Sequence, residues 1–153
     1  EPLGYNLPLE AERGYHLILQ NPGITVNNSI MDADAKFVAS SMSAGVRCAG
    51  TAEFAGLDAL PDYRRSQIFV RLAERLFHNI NTIDTIEWMG SRPSFPDSLP
   101  CLGEVPGKKG LFCAFGHSHY GFGMAPNTGR VVASIVTGEP VNIDLKPYQI
   151  GRF

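Results

Sequence analysis

From Tyr15 to Gln20 the chain reads YHLILQ, with side chains alternating on the period of a strand, and the turn residues Asn21, Pro22 and Gly23 then predict a hairpin into ITVNNSIM. Two further alternating runs, KFVASSM at 36–42 and VRCAGTAEF at 46–54, are joined by a Ser-Ala-Gly turn. Together these runs predict an antiparallel meander. After GLDALPD the period changes: Ile68, Leu72 and Leu76 recur at helical spacing, Phe69 and Ala73 widen the stripe, and Arg64, Arg71 and Arg75 take another face. That pattern predicts an amphipathic helix from Asp62, its cap, to Phe77, covering one face of the sheet.

IDTIEWMG at 83–90 returns to strand character, and the following SRPSFPDSLPCLGEVPGKKG reads as loop because Pro93, Pro96, Pro100 and Pro106 interrupt regular structure. LFCAF at 111–115 has the unbroken apolar character of a buried strand. It leads through GHSHY into GFGMAPNTGRVVASIVTG, a helix with Val131, Val132, Ile135 and Val136 on its apolar face and Gly138 and Pro140 at its end. Two readings fit the bare glycines at its head. They can allow close packing, or they can leave the helix N-terminus open to an electron-rich ligand, since free N–H groups there carry partial positive charge.

Composition narrows the classes. A chain of 153 residues with 44% hydrophobic content and 18% charge suits a folded domain with one sizeable core or two small ones. The net charge of −2 is spread without a basic run, which argues against nucleic acid as a partner. No apolar run reaches the length of a membrane span, and the first residues lack a signal-peptide pattern and an initiator methionine, which suggests a processed chain or a fragment. Cys48, Cys101 and Cys113 are too few and too scattered for a disulfide framework; they read as buried thiols in a reducing, cytoplasmic setting. A metal site from Cys113, His117 and His119 lacks a fourth ligand at any familiar spacing. There is no internal repeat, no G-x-G-x-x-G, no serine nucleophile elbow and no H-E-x-x-H.

Three segments in order carry a resemblance: CAGTAEFAGLD at 48–58, WMGSRPSFPDSLPCLG at 88–103 and FGHSHYGFGMAPNTGR at 115–130. With ERGYHL near the start and RF at the end, the chain resembles the carboxyl-terminal half of the flavin-dependent amino-acid oxidoreductases, that is D-amino-acid oxidase and dehydrogenase and their glycine and sarcosine oxidase relatives. The resemblance implies an α+β fold: residues 1–95 a portion of the substrate domain, an antiparallel sheet with the helix at 62–77, and residues 96–153 the closing strand and helix of the FAD-binding domain. The N-terminal Rossmann part, where the dinucleotide fingerprint lies, is absent from these residues and would be the necessary partner for holding FAD.

By the same resemblance Arg92 grips the substrate carboxylate, and a planar guanidinium suits that task because two parallel donors fix both position and rotation. An internal ion pair to Asp97 or Glu87 is the alternative for Arg92. The backbone of Ser118 to Gly123, including His119, Gly121 and Phe122, is implied to lie along the pyrimidine edge of the flavin, with Gly90 and His117 also on the cofactor side. There N–H groups and a helix dipole favour the negative charge of reduced flavin. His119 and Tyr120 are implied near the substrate, although the His119 imidazole departs from the glycine of some relatives, and His117 and Tyr120 could equally be held by core hydrogen bonds. Trp88 reads as a packing residue beneath the site.

The implied reaction moves hydride from the α-carbon of an amino acid to flavin N5, with the amine accepted neutral and no general base assigned. The wording of the third segment favours a D-amino-acid dehydrogenase over an oxidase. Oxidation of glycine, sarcosine or another secondary amine is an alternative, and so is a non-catalytic binding or assembly module. The chain by itself is expected to be inactive and to bind FAD weakly or not at all. Surfaces left uncovered by the missing part would promote self-association, and the complete protein could sit peripherally at the inner face of a membrane.

Overall fold

The computed structural model describes residues 3–153. Its strands are β1 (Glu10–Leu19), β2 (Ile30–Asp32), β3 (Phe37–Met42), β4 (Gly45–Phe54), β5 (Thr85–Ser94), β6 (Cys101–Glu104) and β7 (Phe112–Phe115), and its helices are α1 (Arg64–Leu76) and α2 (Gly121–Thr137). The chain divides into two compact units. One is Arg13–Ser91; the other takes the N-terminal residues through Glu12 together with Arg92–Phe153.

The first unit holds most of a five-stranded sheet in the order β2-β3-β4-β1-β5. β2, β3 and β4 form the expected antiparallel meander, with Met42 opposite Gly45 across a two-residue turn. The hairpin expected across Asn21–Gly23 does not form, because β1 has β4 and β5 as its hydrogen-bonded neighbours. The turn chemistry is real, since Asn21 and Gly23 both have positive φ, but it directs the chain out of the sheet. Val26 is then buried, with its N–H donating to Ser41 Oγ at 2.7 Å.

α1 follows its amphipathic pattern, Phe69 and Ala73 packing with Leu17, Leu19, Phe37 and Val46. It starts two residues after Asp62, whose Oδ1 accepts from the Arg64 N–H at 3.2 Å. Arg13, although charged, is buried beneath the segment after β4 and donates to the carbonyls of Leu57, Ala59 and Leu60. Its charge is met by Glu53 at 3.6 Å. Trp88 is not a covered packing residue: it is half exposed and stacks on His16, ring centroids 4.8 Å apart.

In the second unit the proline-rich stretch is more ordered than its sequence suggests. β5 continues through Pro93 because it is the edge strand of the sheet, where a missing N–H breaks no ladder. β6 forms within the expected loop and pairs antiparallel with β7, Cys101 opposite Phe115. β7 is therefore half of a two-stranded ribbon and only partly buried, not the buried strand its composition predicts. Cys113 is likewise only half-buried, whereas Cys48 and Cys101 are fully enclosed.

Phe95, Cys101, Val105 and Ile150 form this unit's core. Arg152 closes it, donating to Asp97 at 2.7 Å and to the Leu99 carbonyl at 2.6 Å, with its guanidinium 4.4 Å from the Phe153 ring centre. α2 ends at Gly138 in the left-handed region, with the Glu139 N–H donating to the Ser134 carbonyl at 2.8 Å. Only Val131 of α2 is buried, and Val136 and Phe122 are exposed. Among the described residues no helix is long and apolar enough to cross a membrane, and no group of acids, cysteines and histidines is arranged to hold a metal ion.

Candidate functional site

The site is assembled where β5 ends and the turn after β7 begins. Gly116 makes that turn: its φ is +79°, and a Cβ built on it would overlap the Phe95 ring, so no other residue fits without displacing the core. The chain next forms an antiparallel bridge between His117 and Ser94. Ser118 follows with φ of +51°, a left-handed conformation that costs a non-glycine residue on the order of 1 kcal/mol.

That conformation places Ser118 Oγ 2.8 Å from Ser94 Oγ, 3.1 Å from Glu12 Oε2 and 3.1 Å from His119 Nδ1. Ser94 Oγ donates to the same Glu12 oxygen at 2.7 Å. Glu12 is the centre of the cluster, its side chain only 4% exposed. Its second oxygen, Oε1, lies 2.7 Å from His119 Nε2 and 3.7 Å from Arg92 Nη1.

The Arg92 contact is an ion pair too long for a hydrogen bond, and Nη1 is buried with no hydrogen-bond partner. The guanidinium is thus oriented by charge, while the side chain as a whole stays 33% exposed. Neither internal partner expected for Arg92 is used. Asp97 is held by Arg152, and Glu87 accepts from Ser66 and Gln67. A guanidinium with a buried counter-charge on one side and solvent on the other can still offer donors to a carboxylate.

His117 Nε2 lies 3.0 Å from Thr128 Oγ1, tying the turn to α2, and burial lowers its pKa below the ordinary imidazole range. The head of α2 has no capping side chain and no acidic residue in its first turn, and nothing lies within 4 Å of a Cβ built at Gly123. An uncapped, unobstructed helix start of this kind fits an electron-rich cofactor edge, so the residues present are compatible with a flavin.

Of the residues expected to act, Arg92, His117, Ser118, His119, Tyr120, Gly121, Phe122 and Gly123 belong to one unit, and Gly90 belongs to the other. A Cβ at Gly90 would overlap the Trp88 indole, so that glycine makes room for a ring of its own chain. Tyr120 and Phe122 project into solvent, at 66% and 99% exposure. Glu12 and Ser94 were not among the expected residues. The available signal for Glu12 was an acid beside Arg13 inside a strand whose later residues are mostly apolar, since a charge buried in a sheet must find partners. An apolar cavity of about 530 Å³ between Tyr5, Leu7, Val105, Phe112, Phe115 and Ile150 includes none of the site residues.

Comparison with known proteins supplies the family. A D-amino-acid oxidase of Bradyrhizobium diazoefficiens is 40% identical over 155 residues, spanning 99% of this chain and 37% of the relative. A D-amino acid dehydrogenase of Paramagnetospirillum magneticum is 37% identical, across 99% of this chain and 36% of its own length. The chain therefore spans little more than a third of these relatives. The crystal structure of a glycine oxidase from Geobacillus kaustophilus superposes with a TM-score of 0.80 at 23% identity, over 99% of this chain and 41% of that one, a likeness of fold. Residues 1–135 match the family described as FAD dependent oxidoreductase, abbreviated DAO. On that match, which covers most of its length, this chain belongs to the FAD-dependent oxidoreductase family.

Proposed function

We propose that this chain is the carboxyl-terminal part of an FAD-dependent oxidoreductase that oxidatively deaminates an amino acid, in the manner of a D-amino-acid dehydrogenase or oxidase. The observation that carries the reading is the convergence of Arg92 and His119 on one oxygen of buried Glu12, in the unit that also holds the open head of α2. Residues 1–95 act as the substrate-domain portion and 96–153 as the return segment of the FAD-binding domain.

Arg92 binds the substrate carboxylate, and His119 and Tyr120 stand toward the amine side. The amides of Ser118–Gly123 hold the electron-rich edge of the cofactor, with His117 fixing the turn and Gly90 also on the cofactor side. Bound FAD would supply the acceptor for a hydride leaving the α-carbon. The names of the two bacterial relatives support a D-amino acid as substrate over glycine or sarcosine. Exposed apolar residues on α2, Phe122 and Val136 among them, support a covering N-terminal FAD-binding part, and self-association in its absence.

The test joins this chain to the amino-terminal portion of the Bradyrhizobium relative. The joined protein should be yellow, with flavin absorbance that this chain by itself does not give, and anaerobic addition of a D-amino acid should bleach it. Stable flavin that no D-, glycine-type or N-methyl amino acid bleaches would instead favour a non-catalytic module. Failure to retain FAD at all would reject the assignment of Ser118–Gly123.

A further inference from the structure

We propose that the sheet face turned away from α1 carries a site for a small aromatic carboxylate, with Arg47 holding the carboxylate and the Trp88–His16 pair receiving the ring. The three residues belong to the unit Arg13–Ser91, and the site depends neither on a flavin nor on the role given to Arg92.

Alternation along three neighbouring strands brings these side chains to one face. In β4, Val46 and Cys48 pack with Phe69 and Ala73 of α1, so Arg47 between them points away from the helix. In β1, Leu17 and Leu19 join the same core, which turns His16 to the face of Arg47. In β5, Glu87 accepts from Ser66 and Gln67 of α1, and Trp88, its chain neighbour, takes the opposite face. The sheet order β4-β1-β5 puts the strand of His16 between the other two. The His16 ring lies against Trp88, centroids 4.8 Å apart and planes 18° from parallel. Burial, and then the charge of Arg47, lower the His16 pKa, so its imidazole is neutral near neutral pH and adds no charge of its own.

Three features point to the ligand. First, Arg47 is a cation without an acid. Arg13, Arg64, Arg65 and Arg75 of the same unit each pair with a carboxylate, whereas among the described residues Arg47 forms no ion pair, and its Nε is buried with no hydrogen-bond partner. A half-buried guanidinium lacks a counter-charge that a carboxylate supplies with matching geometry.

Second, Trp88 stays half exposed, yet room is kept for its ring: a Cβ built on Gly90 would overlap Cη2, Cζ2 and Cζ3 of the indole. The indole therefore lies down along the strand and offers a flat apolar surface, which suits a planar ring. Third, charge decides which ring fits. A cationic ligand over the indole would meet the unpaired Arg47, so the aromatic pair does not form a cage for an ammonium group; a ring carrying a negative group satisfies both features at once.

Trp88 is the chain's only tryptophan, so its fluorescence and its single indole N–H resonance report on the site directly. Phenylacetate added to this chain should change both signals saturably. Phenylacetamide, the same ring without the charge, should bind at least about tenfold more weakly, as expected for loss of a charge-assisted hydrogen bond. Acetate, the charge without the ring, should displace phenylacetate only at about fivefold higher concentration or more. Arg47→Leu should weaken phenylacetate binding at least about tenfold, with Arg47→Lys in between, and Arg92→Leu should leave it unchanged. Added salt should weaken wild-type binding of phenylacetate and not of phenylacetamide, a comparison that needs no variant to fold.

No saturable response to phenylacetate, equal binding of the acid and the amide, or unaltered affinity in a folded Arg47→Leu would each overturn the proposal. Binding lost in Arg92→Leu and kept in Arg47→Leu would also overturn it, and would assign the ligand to the Arg92 anchor instead.

Discussion

Replacing Arg92 by leucine removes the one arginine or lysine that, among the described residues, is paired with Glu12. At 3.7 Å and an effective dielectric of about 20, the attraction is about 4.5 kcal/mol. Arg92 is one-third exposed, so solvent screens it, and Ser94 and Ser118 already hydrogen-bond the other Glu12 oxygen. Halving the figure for those reasons leaves an expected loss of about 2 kcal/mol on folding. Glu12→Gln should cost less, about 1 kcal/mol, because the guanidinium it abandons can hydrate. The double variant should be more stable than the two single losses together imply, with a coupling of about 1 kcal/mol or more. Urea unfolding of the four proteins followed by circular dichroism reads each value at unchanged slope. Strict additivity, or an Arg92→Leu loss below about 0.5 kcal/mol, would refute the claim that these two residues form one electrostatic unit.

Other consequences are open to simple measurement. Arg152→Met should destabilise the chain by about 3 kcal/mol in the same urea assay, since it removes the donor to Asp97 and to the Leu99 carbonyl. The Arg152 hydrogen bond holds Asp97 below the usual carboxylate range, so that stabilisation is full above about pH 4 and lost as pH falls through the lowered value. Arg152→Met should flatten this acid limb. Burial lowers His117, and burial with help from Arg47 lowers His16, so the folded state favours both rings neutral. Their contribution is full above about pH 6.5 and declines as pH drops through the lowered folded values, and His16→Phe should reduce that decline in thermal melts. Cys48 is fully enclosed and its thiol is pushed up to about 11, so native-state alkylation should reach Cys113 first and leave Cys48 until unfolding.

The parts of the fold that repeat a local period were legible in the sequence. Phe69 and Ala73 sit on one helical stripe and are buried together, and the runs around Val38 and Ala49 pair as their alternation requires. What escaped were choices made between distant segments. Asn21–Pro22–Gly23 is good turn chemistry in isolation, but β1 gains more by pairing between β4 and β5 than with the short strand that follows it. Pro93 ends a central strand but not an edge strand, and edge position is a property of the whole sheet.

The site divides in the same way. Motif wording singled out Arg92 and the Gly121 turn, and both fall in the same compact unit. It did not single out Glu12 and Ser94, because their roles arise only when β1 and β5 bring residues 82 positions apart within 2.7 Å. A buried acid makes no pattern of its own along the chain, whereas its partners do.

The central claim is that the Arg92 guanidinium holds the carboxylate of an amino acid. Steady-state kinetics of the joined flavoprotein across wild type, Arg92→Lys and Arg92→Leu addresses it most directly. Loss of two charge-assisted hydrogen bonds should raise KM for a D-amino acid at least about a hundredfold in Arg92→Leu, with Arg92→Lys in between. An Arg92→Leu variant that retains FAD and shows a wild-type KM would contradict the account.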